Sequence, residues 1–349
     1  MAAVALVGNP YIRCETQLAL KTVGKAPKAI MMHGATIAAG RIYIMGGRLL
    51  GWGWSKAVWS APINSDSTIG DWRTEAELLD RRCYISNTVV AARGCLYILG
   101  GSNLSAPNAA ENTSEPASDI LWSKLGEDGR LGEWQRSEPF DGACVSNAAA
   151  FASERALYLT GGSGKDGIHT EVSMMELADD GSPKSWRQLS PLPDSIWYHG
   201  AALLDNTVFV WGGLRTKKMD ETNDKLFTGT LQPDGSITDW QKQGVLMTPL
   251  YSSGFVGMNG FLVSVAGRYS NGYPTNGIWY TQVKAGKPGE WTFLNTDLQA
   301  RLYVALAVDR EHGRIFAIGG RDRKGRTPEE IPDAPIRDTI QAFQLTASK

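Results

Sequence analysis

Apolar and polar residues alternate along this chain in short runs, and the runs recur. Six of them end in small residues: "IYIMGG" (42–47), "LYILGG" (96–101), "LYLTGG" (157–162), "VFVWGG" (208–213), "LVSVAG" (262–267) and "IFAIGG" (315–320). Their last glycines are spaced by 54, 61, 51, 54 and 53 residues. Trp72, Trp134, Trp186, Trp240 and Trp291 each precede the next doublet by 26 to 28 residues. About six residues ahead of each tryptophan stands a turn sequence: "SDST", "EDGR", "DDGS", "PDGS" or "KAGK". Alternation with period two predicts half-buried strands, and Asp-Gly between such runs predicts a hairpin because its turn needs positive φ.

Each unit therefore reads as four antiparallel strands. Strand A is a run such as "YHGAALL" (198–204), B ends in the doublet, C resembles "DILWSKL" (119–125), and D carries the tryptophan. Four strands per repeat is the arithmetic of a propeller blade, and six units lie within the roughly four to eight such rings use. The blades begin near 29, 82, 143, 196, 249 and 301. After Gly320 only one further strand is legible, "DTIQAFQLTA" (338–347), so the last blade lacks strand D. The segment "YIRCETQLAL" (11–20) is assigned to complete it, which makes residues 1–349 a single domain closed by its own 1–20 segment.

The doublet on B, the aromatic on C and the tryptophan on D resemble the kelch repeat, and the resemblance covers nearly the whole chain. It implies an all-β, six-bladed propeller and says little about function. Ala266 replaces the first glycine of one doublet, and Met174 and Met175 stand where the repeat usually has tyrosine. The tryptophans of the D position are read as packing between blades.

Composition narrows the function. Net charge is −1, with 35 basic and 36 acidic side chains, so no global field favours nucleic acid. Four cysteines show neither CxxC spacing nor a disulfide framework. The opening "MAAVALVGNPYIRCE" has too short an apolar run for a signal peptide, and no stretch nears a membrane span. A soluble monomer without membrane or nucleic-acid partners is expected, in the cytoplasm if nothing exports it.

Strand polarity sends the irregular B–C connections to one face, and irregular loops on a regular scaffold are where function concentrates. Arg48, Arg268 and Arg321 follow their doublets, Arg215 comes one residue later, and Arg82 and Arg301 stand near the start of strand A. Trp52, Trp54, Trp197, Tyr198, Tyr269 and Tyr303 share that face. Guanidinium groups beside flat rings suit a small anionic ligand in an axial pocket, carbohydrate-like in character. The same groups suit an acidic peptide or partner domain.

Catalytic candidates are few. His169, with Glu171 two residues on, is the freest general acid–base, and His199 beside Tyr198 is the second. His33 and His199 occupy one repeat position, matched elsewhere by Asn87, Asn147, Ser253 and Val304. Opposite histidines do not reach one metal, and no cofactor is expected. Plant nitrile-specifier proteins are kelch propellers with an iron pattern E-x3-D-x3-H; here Glu329 and Asp333 are followed by Arg337, which cannot ligate. Bacterial N-acetylneuraminate epimerases resemble the chain in architecture and length, which implies an isomerase acting on an acidic sugar as one reading. A non-catalytic interaction module is the other.

Overall fold

A computed structural model describes residues 12–18, 20–51, 53–104, 114–140, 145–218, 221–245, 250–269, 273–296, 298, 301–322 and 335–345. Among them every regular element is a strand. Consecutive segments form antiparallel sheets in simple chain order. The first sheet is Gly34–Ala38, Arg41–Met45, Val58–Pro62 and Arg73–Thr74. The second joins Val89–Ala92, Cys95–Leu99, Ile120–Lys124 and Gln135–Arg136. The third runs Ala149–Ala152, Ala156–Thr160, Val172–Leu177, Pro183–Gln188, and the fourth Gly200–Leu204, Thr207–Trp211, Lys225–Leu231, Ile237–Val245. The fifth contains Gly254–Met258, Phe261–Val265, Ile278–Lys284 and Lys287–Thr296, and the sixth Ala305–Asp309, Arg314–Ile318 and Thr339–Gln344. Each apolar run that ends in a doublet is the second strand of its sheet.

The first strands pack side by side around an axis. Gly34–Ala38 lies between Val89–Ala92 and Ala305–Asp309, and the series passes through the other sheets back to its start. These strands are rich in glycine and alanine because they crowd near the axis. A Cβ on Gly200 would sit 2.2 Å from the Cβ of Phe255 on the next sheet.

The doublets join sheet to sheet. The second residue of each donates its amide to a carbonyl of the following sheet: Gly47 to Arg82 (2.7 Å), Gly101 to Val145 (3.0 Å), Gly162 to Ile196 (2.8 Å), Gly213 to Leu250 (2.7 Å), Gly267 to Arg301 (2.9 Å) and Gly320 to Ile30 (2.8 Å). The last of these returns to the first sheet. Positive φ turns the amide outward: Gly161 has φ 54° and Gly162 φ 96°, and a Cβ on Gly161 would lie 2.5 Å from the Ile196 carbonyl oxygen.

Side chains repeat the same stitch. Tyr43, Tyr97 and Tyr158 donate to the carbonyls of Gly129 (2.5 Å), Gly181 (2.5 Å) and Gly235 (3.2 Å) in the next sheet's hairpin turn. In the other direction the indole N–H of Trp72, Trp134 and Trp240 reaches the carbonyls of Lys25, Ala76 and Ser190. Buried apolar residues fill the wedges between neighbours, as Ile44, Ala61, Phe316 and Ile340 do between the sixth sheet and the first.

The fourth strand of the sixth sheet comes from the other end of the sequence, but later than expected. Lys21–Lys25 pairs with Thr339–Gln344, in the register Lys21↔Ala342. Ile12–Leu18, within the segment assigned to that place, instead pairs parallel with Lys287–Thr296 as a fifth strand of the fifth sheet. The backbone of Lys21–Lys25 is also in reach of the Trp72 indole, which the earlier segment is not.

Candidate functional site

On the face where the B–C connections emerge, each sheet carries a short upper tier. The residues ahead of the first strand pair with those after the doublet: Ile30–Met31 with Arg48–Leu49, Arg81–Cys83 with Ser102–Leu104, and Arg301–Leu302 with Arg321–Asp322. Single bridges Ser146↔Ser163, Trp197↔Leu214 and Tyr251↔Arg268 do the same in the remaining sheets. Between tier and sheet one residue adopts a left-handed conformation: Met32, Tyr84, Asn147, Tyr198, Ser252 and Tyr303, with φ from 53° to 59°. Six non-glycine residues in that region share one cause. The kink turns each side chain toward the axis.

Three of the six, on alternate sheets, are tyrosines, and their rings meet. Tyr84–Tyr198, Tyr84–Tyr303 and Tyr198–Tyr303 have centroid separations of 6.5, 6.3 and 6.1 Å. Trp54 packs edge-on to Tyr84 at 5.9 Å, and Trp197 lies 4.6 Å from Tyr198. The group closes the axis at the loop face. Beneath it remains a cavity of about 20 Å³ lined by Tyr84, Asn87, Asn147, Tyr198, Ser252 and Tyr303, room for about one water. Burial, with Tyr303 and Tyr84 adding to it, pushes the Tyr198 phenol well above the ordinary value. It stays neutral.

Below the plug lies a crossbar formed by Asn87, which, like Asn147, does not share the repeat position of the histidines as expected, whereas Ser253 and Val304 do. The residues in register with His33 and His199 are Ile85, Ala148, Ser253 and Val304, each following its left-handed residue. Ser86–Thr88 is an extra turn that carries Asn87 over the axis. Its amide nitrogen donates to the carbonyls of His199 (3.2 Å) and Ser253 (3.3 Å), and its oxygen accepts from the amide of Phe255 (3.4 Å).

The arginines expected at a common mouth divide into groups. Arg82 is wholly buried, held by Asp80 (2.8 Å), Asp119 (2.9 Å) and the Gly100 carbonyl (2.8 Å), with Arg136 on the far side of the same carboxylates. Arg301 fills the equivalent place, 1% exposed, and donates to the Gly319 carbonyl, Thr339 and Gln341. Burial, aided by Arg337 and only partly offset by Asp322, lowers its pKa to about 10. Both are ties within a sheet, turned away from any mouth. Arg268 is buried over the Tyr251 ring at 5.6 Å. Arg215 is exposed, 3.7 Å from Glu221 and 4.0 Å from Asp194. Arg48 and Arg321 are half-buried in the upper tier. Tyr269 donates to Thr275 at 3.1 Å. Trp54 is folded inward, 6% exposed, and offers no flat ring to a ligand on the loop face; Trp52, Glu329 and Asp333 lie outside the described residues.

The histidines are likewise internal. His199 is fully buried, its Nε2 3.0 Å from the Thr160 hydroxyl, and burial lowers its pKa to about 3. Burial, aided by Arg301, does the same to His33. Each fills the space against a doublet of the preceding sheet, His199 at Gly161 and His33 at Gly319. A group neutral and sealed in this way is filler, not a proton shuttle. His169 is 5% exposed, between Glu171 (Nδ1–Oε2 3.2 Å) and Asp166 (Nε2–Oδ1 3.3 Å). It lies in the third sheet's loop, next to Ile168, which packs against the cluster holding Tyr198 and Tyr303. No group of three metal-ligating side chains occurs among the described residues.

Three curated relatives share the repeat. The chain is 26% identical over 239 residues to Kelch-like protein 35 of Mus musculus, covering 68% of this chain and 35% of that one. It is 28% identical over 176 residues to Kelch-like protein 25 of Xenopus tropicalis, covering 50% and 27%. It is 27% identical over 198 residues to Kelch repeat and BTB domain-containing protein 12 of Danio rerio, covering 50% and 30%. The chain thus spans about a third of the length of these relatives. The solved structure of YjhT superposes with a TM-score of 0.68 over 94% of this chain and 98% of that one, at 14% identity. The fold is a kelch-repeat β-propeller. No protein-family model matches the chain. At these identities the kelch likeness establishes the architecture, and the propeller's loop face and axis remain to be read from their own chemistry.

Proposed function

We propose that this kelch propeller is a six-bladed, single-domain interaction module whose loop face recognises a partner segment carrying carboxylates. The observation that supports this most is the tyrosine plug. An isomerase acting on an acidic sugar needs a chamber on the loop face with cations and a titrating group around it. Here the axis is closed by three rings, two of the expected cations tie strands together, and His199 is sealed. What the face presents outward is a rim: Arg215, Lys217 and Lys218 are exposed, and Tyr273 is 52% exposed. Tyrosine and arginine are the usual anchors of protein interfaces. The name of the zebrafish relative joins kelch repeats to a BTB domain, an arrangement in which the propeller is one part of a larger protein.

Fluorescence anisotropy with labelled acidic, neutral and basic peptides tests the reading. Acidic peptides bind the wild type, and Arg215→Glu or Tyr273→Ala weakens them by about tenfold, near 1.4 kcal/mol. If no peptide binds while acidic sugars raise the melting temperature in a way Arg215→Glu abolishes, the module reading is overturned in favour of a small-molecule site.

A further inference from the structure

The opposite end of the axis has a different construction. Below Asn87 runs a channel of about 570 Å³, bounded by the first strands of the sheets and, at its far end, by Ala39–Gly40 and Arg310–His312. Each of those strands is terminal in its sheet order. Its inner edge therefore offers backbone N–H and C=O groups that no neighbouring strand pairs. A wall of alternating donors and acceptors is polar, whatever side chains the strands carry.

One turn reaches over the mouth of this channel. The first two strands are joined by two residues in the first, second, fourth and fifth sheets and by three in the third. In the sixth sheet the connection between Ala305–Asp309 and Arg314–Ile318 is the four residues Arg310 to Gly313. Asp309 fixes this turn: its carboxylate accepts from the His312 amide (3.2 Å), meets the His312 ring (3.0 Å) and pairs with Arg314. Asn259 and Gln344 donate to the carbonyls of Arg310 and His312. Arg310 lines the channel, and no ion pair or hydrogen bond to its guanidinium occurs among the described residues. It is exposed at the channel mouth, and partial desolvation by the wall lowers its pKa. Glu311, exposed, follows at the outer rim without pairing to it.

We infer that the channel is a binding site for a small hydroxycarboxylate, which enters from the turn face, pairs its carboxylate with Arg310 and sets its hydroxyl groups against the free strand edges. A guanidinium matches a carboxylate in two parallel hydrogen bonds. A volume in the hundreds of Å³ suits a molecule of that size, and the closed loop end makes the site a blind one. The inference is independent of the loop-face reading.

Calorimetric titration of the whole chain with citrate, tartrate and tricarballylate, which is citrate without its hydroxyl, tests it. Citrate or tartrate binds; tricarballylate binds more weakly; Arg310→Ala weakens binding by roughly tenfold or more, and Arg310→Lys restores part of it. Lys124→Ala, on the exposed face of the second sheet and outside the channel lining, leaves binding unchanged. Hydrogen exchange of the first-strand amides slows when citrate is bound. No heat with either hydroxycarboxylate, equal affinity in Arg310→Ala, or binding without any amide protection would overturn the inference.

Discussion

At the scale of single residues, the decisive features are polar groups in unusual settings. Asn87 makes three long hydrogen bonds across the axis to segments that start the fourth and fifth sheets. Asn87→Ala removes them together, at a cost of about 2 kcal/mol, read as a lower midpoint in urea with an unchanged slope. His33 and His199 make stability depend on acid. Each has a folded pKa near 3 against 6.5 for the free group, so the unfolded chain takes up protons between those values that the folded chain refuses. Stability is full above pH 6.5 and falls on acidification toward pH 3, by up to about 1.4 kcal/mol per pH unit for each histidine. Denaturation at pH 7, 6 and 5 measures that slope. In His33→Gln/His199→Gln the slope flattens whatever the intercept does; an unaltered slope would show that other groups set the acid sensitivity. These two residues are conspicuous in the sequence for their shared spacing. Their burial is not, because it depends on doublets contributed by the preceding sheets.

At the scale of elements, the doublet shows why the strands were legible and the site was not. Strand alternation, the Asp-Gly turns and the glycine pairs are local, so each sheet follows from its own stretch of chain. Gly161→Ala would push a methyl to 2.5 Å from a carbonyl oxygen of the next sheet, at a left-handed position. Such a clash costs about 2 kcal/mol or more, measurable as a fall in melting temperature. Arg82 and Arg301 carry the opposite lesson. Each lies 18 residues before the carbonyl it binds, Gly100 and Gly319, and that shared offset is the signal that marks them as strand ties. Of their other partners, Asp80 is two residues from Arg82, while Asp119, Thr339 and Gln341 stand 37 to 40 residues away. Arg82→Met leaves Asp80 and Asp119 with Arg136 alone; the loss is about 3 kcal/mol by chemical denaturation. Tyr198 and Tyr303 were legible as residues of the loop face, but Tyr84 was not, and nothing in "RCYIS" or "RLYVA" announces the positive φ that turns these rings inward to close the axis.

At the scale of the whole molecule, every sheet is tied to the next by its doublet amide, the last to the first through Gly320, and tyrosine or tryptophan side chains reinforce several of these junctions. Such a ring shares strain and support among all its members. A local opening is therefore resisted by both neighbours. The plug and the channel belong to this level only: the plug is made by residues from alternate sheets and the channel by the first strands of all of them, which no short segment contains. Tyr84→Ala/Tyr198→Ala/Tyr303→Ala would join the small cavity to the loop face. In that variant amides near Asn87 exchange faster, while those of the outer strands keep their protection. Uniform acceleration would mean that the rings hold the whole ring together instead of merely closing its axis.

The pairing of Lys21 with Ala342 has a consequence for how the protein is made. During translation the segment that supplies this outermost strand emerges more than three hundred residues ahead of its mate. For that whole interval it is an orphan edge, and the nascent chain can assemble its middle sheets while the seam stays open. Ribosome-bound intermediates halted before residue 339 should accordingly be cleaved within residues 21–25 by a protease that spares the released, finished protein.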